Sequence, residues 1–275
     1  MAVPIGVFDS GVGGLSVLRA IRQQMPKQPV IYLADQAHVP YGQRSLEQVR
    51  AFSEEITRFL LSHGARLVVV ACNAASAAAL HHLRRVFPQV SFVGMEPAVK
   101  PAAEQTRTGV VGVLATPATF QGELYASVVE RFAQGVRLLQ DTCPGLVKQI
   151  EDGQLDTPAT RAILERALLP MLAEKIDTVV LGCTHYPFVI PLIQEIAGPG
   201  VRVIDPAPSV ARQANRLLQA NGWQAGSQDV LGWASFYTSA EPSALQNLLP
   251  DLLGCPAVVH HASWQGSKLI QREAG

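Results

Sequence analysis

Val68-Val69-Val70-Ala71-Cys72-Asn73-Ala74-Ala75-Ser76 is the stretch that decides the architecture. A run without one polar side chain suits a strand covered on both faces, as in a parallel sheet sandwiched by helices. The polar turn after it opens an alanine-rich helix expected to continue to Phe87. A second stretch repeats the plan. Thr178-Val179-Val180-Leu181 runs into Gly182-Cys183-Thr184-His185-Tyr186-Pro187. Each apolar run delivers a cysteine to a polar turn that opens a helix, and the two cysteines are expected to face each other across one cleft.

Other short apolar runs alternate with helical patterns in the same way. Strands are expected at Ile5–Phe8, Val30–Leu33, Leu67–Ala71, Ser91–Gly94, Val110–Leu114, Val136–Leu139, Thr178–Leu181 and Val201–Ile204. This alternation reads as parallel α/β. Ser45 followed by Gln48 has the spacing of a capping box, ahead of Leu46, Val49, Phe52, Ile56, Phe59 and Leu60 at helical period. Thr157-Pro158 reads as a cap and first turn. His81 and His82 are expected on a solvated helix edge.

The halves echo each other. Gly6-Val7-Phe8-Asp9-Ser10 resembles Gly112-Val113-Leu114-Ala115-Thr116, an offset of 112 − 6 = 106, and the cysteine turns are offset by 183 − 72 = 111. Similar offsets for two strand-to-turn motifs suggest a duplicated α/β unit. The fold class expected is therefore two pseudo-symmetric parallel-sheet α/β domains, with the active site where the carboxyl ends of their strands meet. Domain boundaries are expected near Glu96-Pro97 and Asp205-Pro206. That gives a discontinuous N-terminal domain, residues 1–97 plus 207–275, around a second domain of residues 98–206. The tail, with a helix near Ala207–Ala220 and a strand near Pro256–His260, is expected to pack back on the first half.

Composition narrows the function classes. The chain has 275 residues, enough for a substantial core, and 48% apolar against 16% charged residues is a globular composition. Twenty-two basic and 22 acidic residues leave no net charge, so neither nucleic acid nor an anionic membrane is an expected partner. No apolar run approaches the ~18 residues of a membrane span. No signal-peptide pattern precedes Ile5, so a cytoplasmic location is expected. Four cysteines in this length (Cys72, Cys143, Cys183, Cys255) do not make a secreted disulfide framework.

The turn Asp9-Ser10-Gly11-Val12-Gly13-Gly14 follows a strand and precedes a helix, which lets backbone N–H groups converge on an anion. It fits neither nucleotide fingerprint: Ser16 stands where a dinucleotide site wants glycine, and no Gly-Lys-Ser/Thr follows. A tight turn with small residues for packing is the plainer reading. Pro40-Tyr41-Gly42, after Asp35, offers a phenol and backbone donors. Thr116 and Thr119 offer hydroxyls, or alternatively a helix cap.

For Cys72 and Cys183 four readings stand: buried packing residues, a redox pair, zinc ligands with His185 and Asp9, or acid–base groups. A thiol titrates near ~8.5 and is tuned downward at a helix N-terminus. Two thiols on opposite faces of one carbon can remove a proton from one side and return one to the other. Asp9 and His185 are natural helpers.

These residues resemble the cofactor-independent aspartate/glutamate racemase superfamily, in particular glutamate racemase. The shared patterns are Asp9-Ser10-Gly11-x-Gly13-Gly14, Pro40-Tyr41-Gly42, Ala71-Cys72-Asn73, Thr116 with Thr119, Cys143-Pro144 followed by Glu151, and Gly182 to Pro187. The resemblance implies interconversion of L- and D-glutamate without pyridoxal phosphate, metal or other cofactor. It implies that Cys72 acts on the D-enantiomer, assisted by Asp9. Cys183 would act on the L-enantiomer, assisted by His185 with Glu151 behind it. Substrate contacts carry over to Asp9, Ser10, Tyr41, Gly42, Asn73, Ala74, Thr116, Thr119, Thr184 and His185. It further implies a homodimer and a supply of D-glutamate to peptidoglycan synthesis, hence cell-wall biogenesis and cell shape.

Three positions depart from the family pattern. Ala74 stands where threonine is usual, Gly122 where serine is frequent, and His38 where arginine is frequent. None of the motifs contains lysine or arginine, so the substrate carboxylates would be held by hydroxyls and backbone N–H groups. A racemase of aspartate or another amino acid, and a silent amino-acid-binding regulatory protein, are the alternatives. Cys143 and Cys255 are expected to be structural.

Overall fold

β1 (Ile5–Asp9), β2 (Val30–Ala34), β3 (Leu67–Val70) and β4 (Ser91–Gly94) are the first four apolar runs. The computed structural model describes residues 2–226 and 232–272; Met1, 227–231 and 273–275, all within the expected first domain, lie outside the described residues. Every residue of β1, β2 and β3 is buried, which explains why these segments carry no polar alternation. Helices α1 (Leu15–Gln24), α2 (Leu46–Ser62) and α3 (Asn73–Val86) connect them in sequence. α2 starts in the capping box expected of Ser45 and Gln48, with both reciprocal bonds formed. It stops at Gly64, whose φ of +93° lies in the left-handed region that glycine adopts without strain.

A second series follows: α4 (Val99–Gln105), β5 (Val110–Ala115), α5 (Pro117–Gln121), α6 (Glu123–Phe132), β6 (Arg137–Asp141), α7 (Leu146–Glu151), α8 (Pro158–Ala173), β7 (Thr178–Gly182), α9 (Ile190–Ala197) and β8 (Arg202–Ile204). α8 begins as expected, with Thr157 accepting the Thr160 N–H and Pro158 in its first turn. The remainder is α10 (Ala207–Asn221), β9 (Ala234–Thr238), α11 (Pro242–Leu253), β10 (Val259–Gln265) and β11 (Lys268–Gln271).

Contacts divide the chain into two compact units, one of the residues up to Met95 together with those from Ala207 onward, the other Glu96–Pro206. The second unit holds a four-stranded parallel sheet in the order β6-β5-β7-β8. Val99, Ala102, Val111, Val113, Tyr125, Val128 and Val180 form a core against one face. The first unit holds seven strands, β11-β10-β9-β2-β1-β3-β4. Its β2-β1-β3-β4 portion repeats the order of the second sheet strand for strand, the topological form of the expected duplication.

The halves are not equal, however. β9 and β10 extend the first sheet in parallel, and β11 closes it as an antiparallel edge strand. The first sheet is thus parallel as expected apart from this one edge strand. The expected tail strand lies three residues later than its motif, at Val259–Gln265. His82 also differs from expectation: it meets Glu54 Oε2 at 2.9 Å instead of standing in solvent, while His81 is exposed.

Candidate active site

In the first unit, β1 and β3 are adjacent parallel strands, with Phe8 opposite Val70. Their carboxyl ends therefore place Asp9-Ser10 beside Cys72. Asp9 is fully buried and accepts the Gly11 N–H at 2.8 Å, which folds the glycine turn back over its carboxylate. Gly14 is required there, because a Cβ would lie 2.7 Å from that of Asp9. Cys72 is the N-cap of α3. Its sulfur accepts the Ala75 N–H at 3.4 Å and lies 3.7 Å from Ser10 Oγ. An N–H donated to sulfur at a helix start favours negative charge on that sulfur.

Asn73 follows, 4% exposed, with no hydrogen-bond partner for either end of its amide. Such a group costs about 1–3 kcal/mol unless something bonds it. The backbone N–H groups of Asn73 and Ala74 belong to the first helical turn, which has no intrahelical acceptors to offer. Together they are a ready-made receptor for a small polar ligand.

In the second unit the equivalent strand, β7, ends at Gly182 and presents Cys183, Thr184 and His185, all buried. His185 Nδ1 lies 3.7 Å from Cys183 Sγ, and its Nε2 lies 2.6 Å from Glu151 Oε1, at the end of α7. Burial opposes a charged ring, but hydrogen bonds and charge interactions with Cys183 and Glu151 outweigh it. His185 thus holds its proton well above the ordinary histidine range. Thr116 and Thr119, after β5, share a hydrogen bond of 3.2 Å, and Thr119 also donates to the Gly182 carbonyl. Thr116 occupies the N-cap of α5 but its hydroxyl makes no capping bond, so the capping alternative fails for it.

The two cysteine turns differ in one respect that the sequence does not reveal. Cys72 caps an α-helix, as expected of both. Cys183 does not: a bend and a single 3₁₀ turn (Tyr186–Val189) precede α9, so a helix terminus does not support its sulfur. The imidazole of His185 takes that place.

Tyr41 also differs. Its phenol donates to Asp35 Oδ2 at 2.6 Å and is buried. Burial first, then Asp35, with smaller effects from Cys72 and Asp9, hold it well above the ordinary phenol range. The hydroxyl is committed internally, which leaves the backbone of Tyr41-Gly42 as the donor surface of that turn. Ala74 is buried on the first turn of α3, and Gly122 caps α6.

Cys143 is buried at φ +44°, and burial followed by Asp141 pushes its thiol far up, so it stays protonated. Cys255 accepts from the Arg22 guanidinium at 3.3 Å. All four cysteines are free thiols. Among the described residues no group of three His, Cys, Asp or Glu side chains is arranged to hold a metal ion. Nor is any described helix long and apolar enough to cross a membrane.

The family model of Asp/Glu/hydantoin racemases matches residues 5–214, which takes in both cysteine turns. The chain belongs to this family. A glutamate racemase from Pseudomonas aeruginosa is 51% identical over 93% of this chain and 96% of its own length. Two solved structures are similar throughout. The glutamate racemase of Escherichia coli, in complex with L-glutamate and the activator UDP-MurNAc-ala, has a TM-score of 0.84 at 31% identity, covering 99% of this chain and 100% of its own. That of Francisella tularensis, in complex with D-glutamate, has a TM-score of 0.81 at 26% identity, covering 95% and 98%. Glu151 is the site residue that local reasoning misses. It lies 34 residues before His185, and only the family pattern points to it.

Proposed function

We propose that the chain is an isomerase that interconverts L- and D-glutamate by two-thiol proton transfer, without cofactor or metal. Cys183 removes the α-proton of L-glutamate while Cys72 delivers one to the opposite face, and the reverse reaction exchanges the roles. Asp9 helps Cys72, and His185 with Glu151 behind it helps Cys183. The observation that carries this reading is the His185–Glu151 pair beside a buried thiol, because it sets a charged proton-handling group where a packing cysteine needs none. The relatives' glutamate substrate and the orphan amide of Asn73 support the same substrate.

The α-proton of an amino acid is weakly acidic, so the carbanion-like transition state needs fixed donors around the carboxylate. On this reading Ser10, Asn73, Thr116, Thr119 and Thr184, with the N–H groups of Gly42 and Ala74, would supply them. No lysine stands in these turns for a Schiff base. We assign the protein to the cytoplasm, as a homodimer whose D-glutamate feeds peptidoglycan synthesis.

The test is incubation of each enantiomer in D₂O, following optical rotation and α-deuterium. Deuterium should enter the product ahead of the recovered substrate, since separate thiols take and give the proton. Equal early labelling of both would point to a single base. Turnover of aspartate and not glutamate would move the substrate to the nearest alternative.

A further inference from the structure

Asp35 is wholly buried and has four donors around it, although it belongs to none of the groups assigned to proton transfer. Oδ2 accepts from Tyr41 at 2.6 Å and lies 2.9 Å from His38 Nδ1. Oδ1 accepts from Ser239 Oγ at 2.6 Å and from Trp264 Nε1 at 2.7 Å. Ser239 directly follows β9, and Trp264 lies on β10, so two of the four donors come from more than 200 residues downstream. A carboxylate so buried is costly unless its lone pairs are filled, and here each distant donor fills one.

Its surroundings tie this carboxylate to the substrate turn. Ser239 Oγ also accepts the Ala37 N–H at 3.0 Å. The His38 ring stacks on Phe52 at 3.9 Å and meets Trp264 edge-on. Arg44 bonds to the carbonyls of His38 and Tyr41, closing residues 38–44 as one loop. The loop's 3₁₀ turn, Tyr41–Gln43, packs against α3, the helix that Cys72 caps.

We propose that Trp264 and Ser239 are positioning residues for the reaction: through Asp35 they fix Tyr41, and so aim the Tyr41-Gly42 backbone at the substrate. This rests on the functional reading above. Neither residue touches reacting atoms. Removing either donor leaves a lone pair of Asp35 unfilled and lets the carboxylate and the Tyr41 phenol shift. Substrate binding then weakens while the thiols and their helpers stay in place.

The experiment measures racemisation by the full chain from both enantiomers, with thermal melting alongside. Trp264→Phe keeps an aromatic ring and removes the N–H; Ser239→Ala removes the hydroxyl, and Ser239→Thr restores it. For Trp264→Phe and Ser239→Ala, KM for both enantiomers should rise about three- to tenfold with kcat within about twofold. Ser239→Thr should return KM toward the parent value. In a Tyr41→Phe background, Trp264→Phe should add no further rise, because the link it acts through is gone.

Unchanged KM with a lowered melting temperature would make the cluster purely structural and overturn the proposal. So would an undiminished effect in the Tyr41→Phe background. Parent activity reads the functional assignment separately from these ratios. A parent that racemises neither glutamate nor aspartate removes that assignment, and this proposal with it.

Discussion

Glu151→Gln isolates the charge behind His185 while keeping a side chain of the same shape. In the parent, Glu151 Oε1 lies 2.6 Å from His185 Nε2, with the ring 3% and the carboxylate 11% exposed. A hydrogen bond to a charged group contributes about 1.5–3 kcal/mol, or roughly one to two pKa units. Losing that charge lets burial dominate, so His185 releases its proton at lower pH. The alkaline limb of kcat/KM should move down by about one to two units, and the plateau should fall about ten- to hundredfold. L- and D-glutamate have equal free energy, so kcat/KM must fall by the same factor in both directions.

The same shift has a stability consequence. A raised histidine contributes stability that is complete below its unfolded pKa and is lost as pH rises through its folded value. The parent's melting temperature should therefore decline across that alkaline window more steeply than the variant's. The assay is circular dichroism of glutamate across a pH series from each enantiomer, with melting curves. An unmoved alkaline limb, or a loss smaller than twofold, would refute the assignment of Glu151 to His185.

Cys72→Ala and Cys183→Ala should each abolish racemisation while leaving the melting temperature within a few degrees; full activity in either removes the two-base reading. Ala74→Thr should lower KM for glutamate by about three- to tenfold, the value of one hydroxyl contact, with kcat little changed; titration of initial rates checks this. Gly14→Ala should cost most of the activity, because its new Cβ would lie 2.7 Å from that of Asp9 and must displace either the turn or the carboxylate. Reduced activity with intact secondary structure by far-ultraviolet circular dichroism is the expected result.

Much of the fold is legible from residues alone because parallel strands covered on both faces cannot alternate polarity. Val68–Ala71 and Thr178–Leu181 announce themselves for that reason, as do the caps at Ser45 and Thr157. β9, Ala234-Ser235-Phe236-Tyr237-Thr238, mixes polar and aromatic residues and is held by pairing with β2, a partner 204 residues away at Val30↔Ala234. β11 buries only Leu269 of its four residues at a sheet edge, so its pattern is weak. Cys72, Cys183 and His185 are legible because each lies within three residues of the carboxyl end of an apolar strand.

Asp35 is the opposite case. Locally it is an aspartate in a turn, and its meaning depends on Ser239 and Trp264, which no local window contains. The different support of the two thiols is hidden for a similar reason. Whether a polar turn opens into an α-helix or pauses in a 3₁₀ turn depends on Pro187 and the packing of Tyr186 and Phe188, all buried.

That difference bears on how the two sulfurs meet an outside reagent. The amide of Ala75 does not titrate, so the environment it gives Cys72 is constant across the working pH range. The ring beside Cys183 does titrate, and with it the charge that an incoming electrophile encounters. Alkylation followed residue by residue across a pH series would then separate two otherwise similar cysteines, one beside a fixed amide dipole and the other beside a ring whose charge changes. A covalent probe chosen on that basis would report which half of the catalytic pair it had reached.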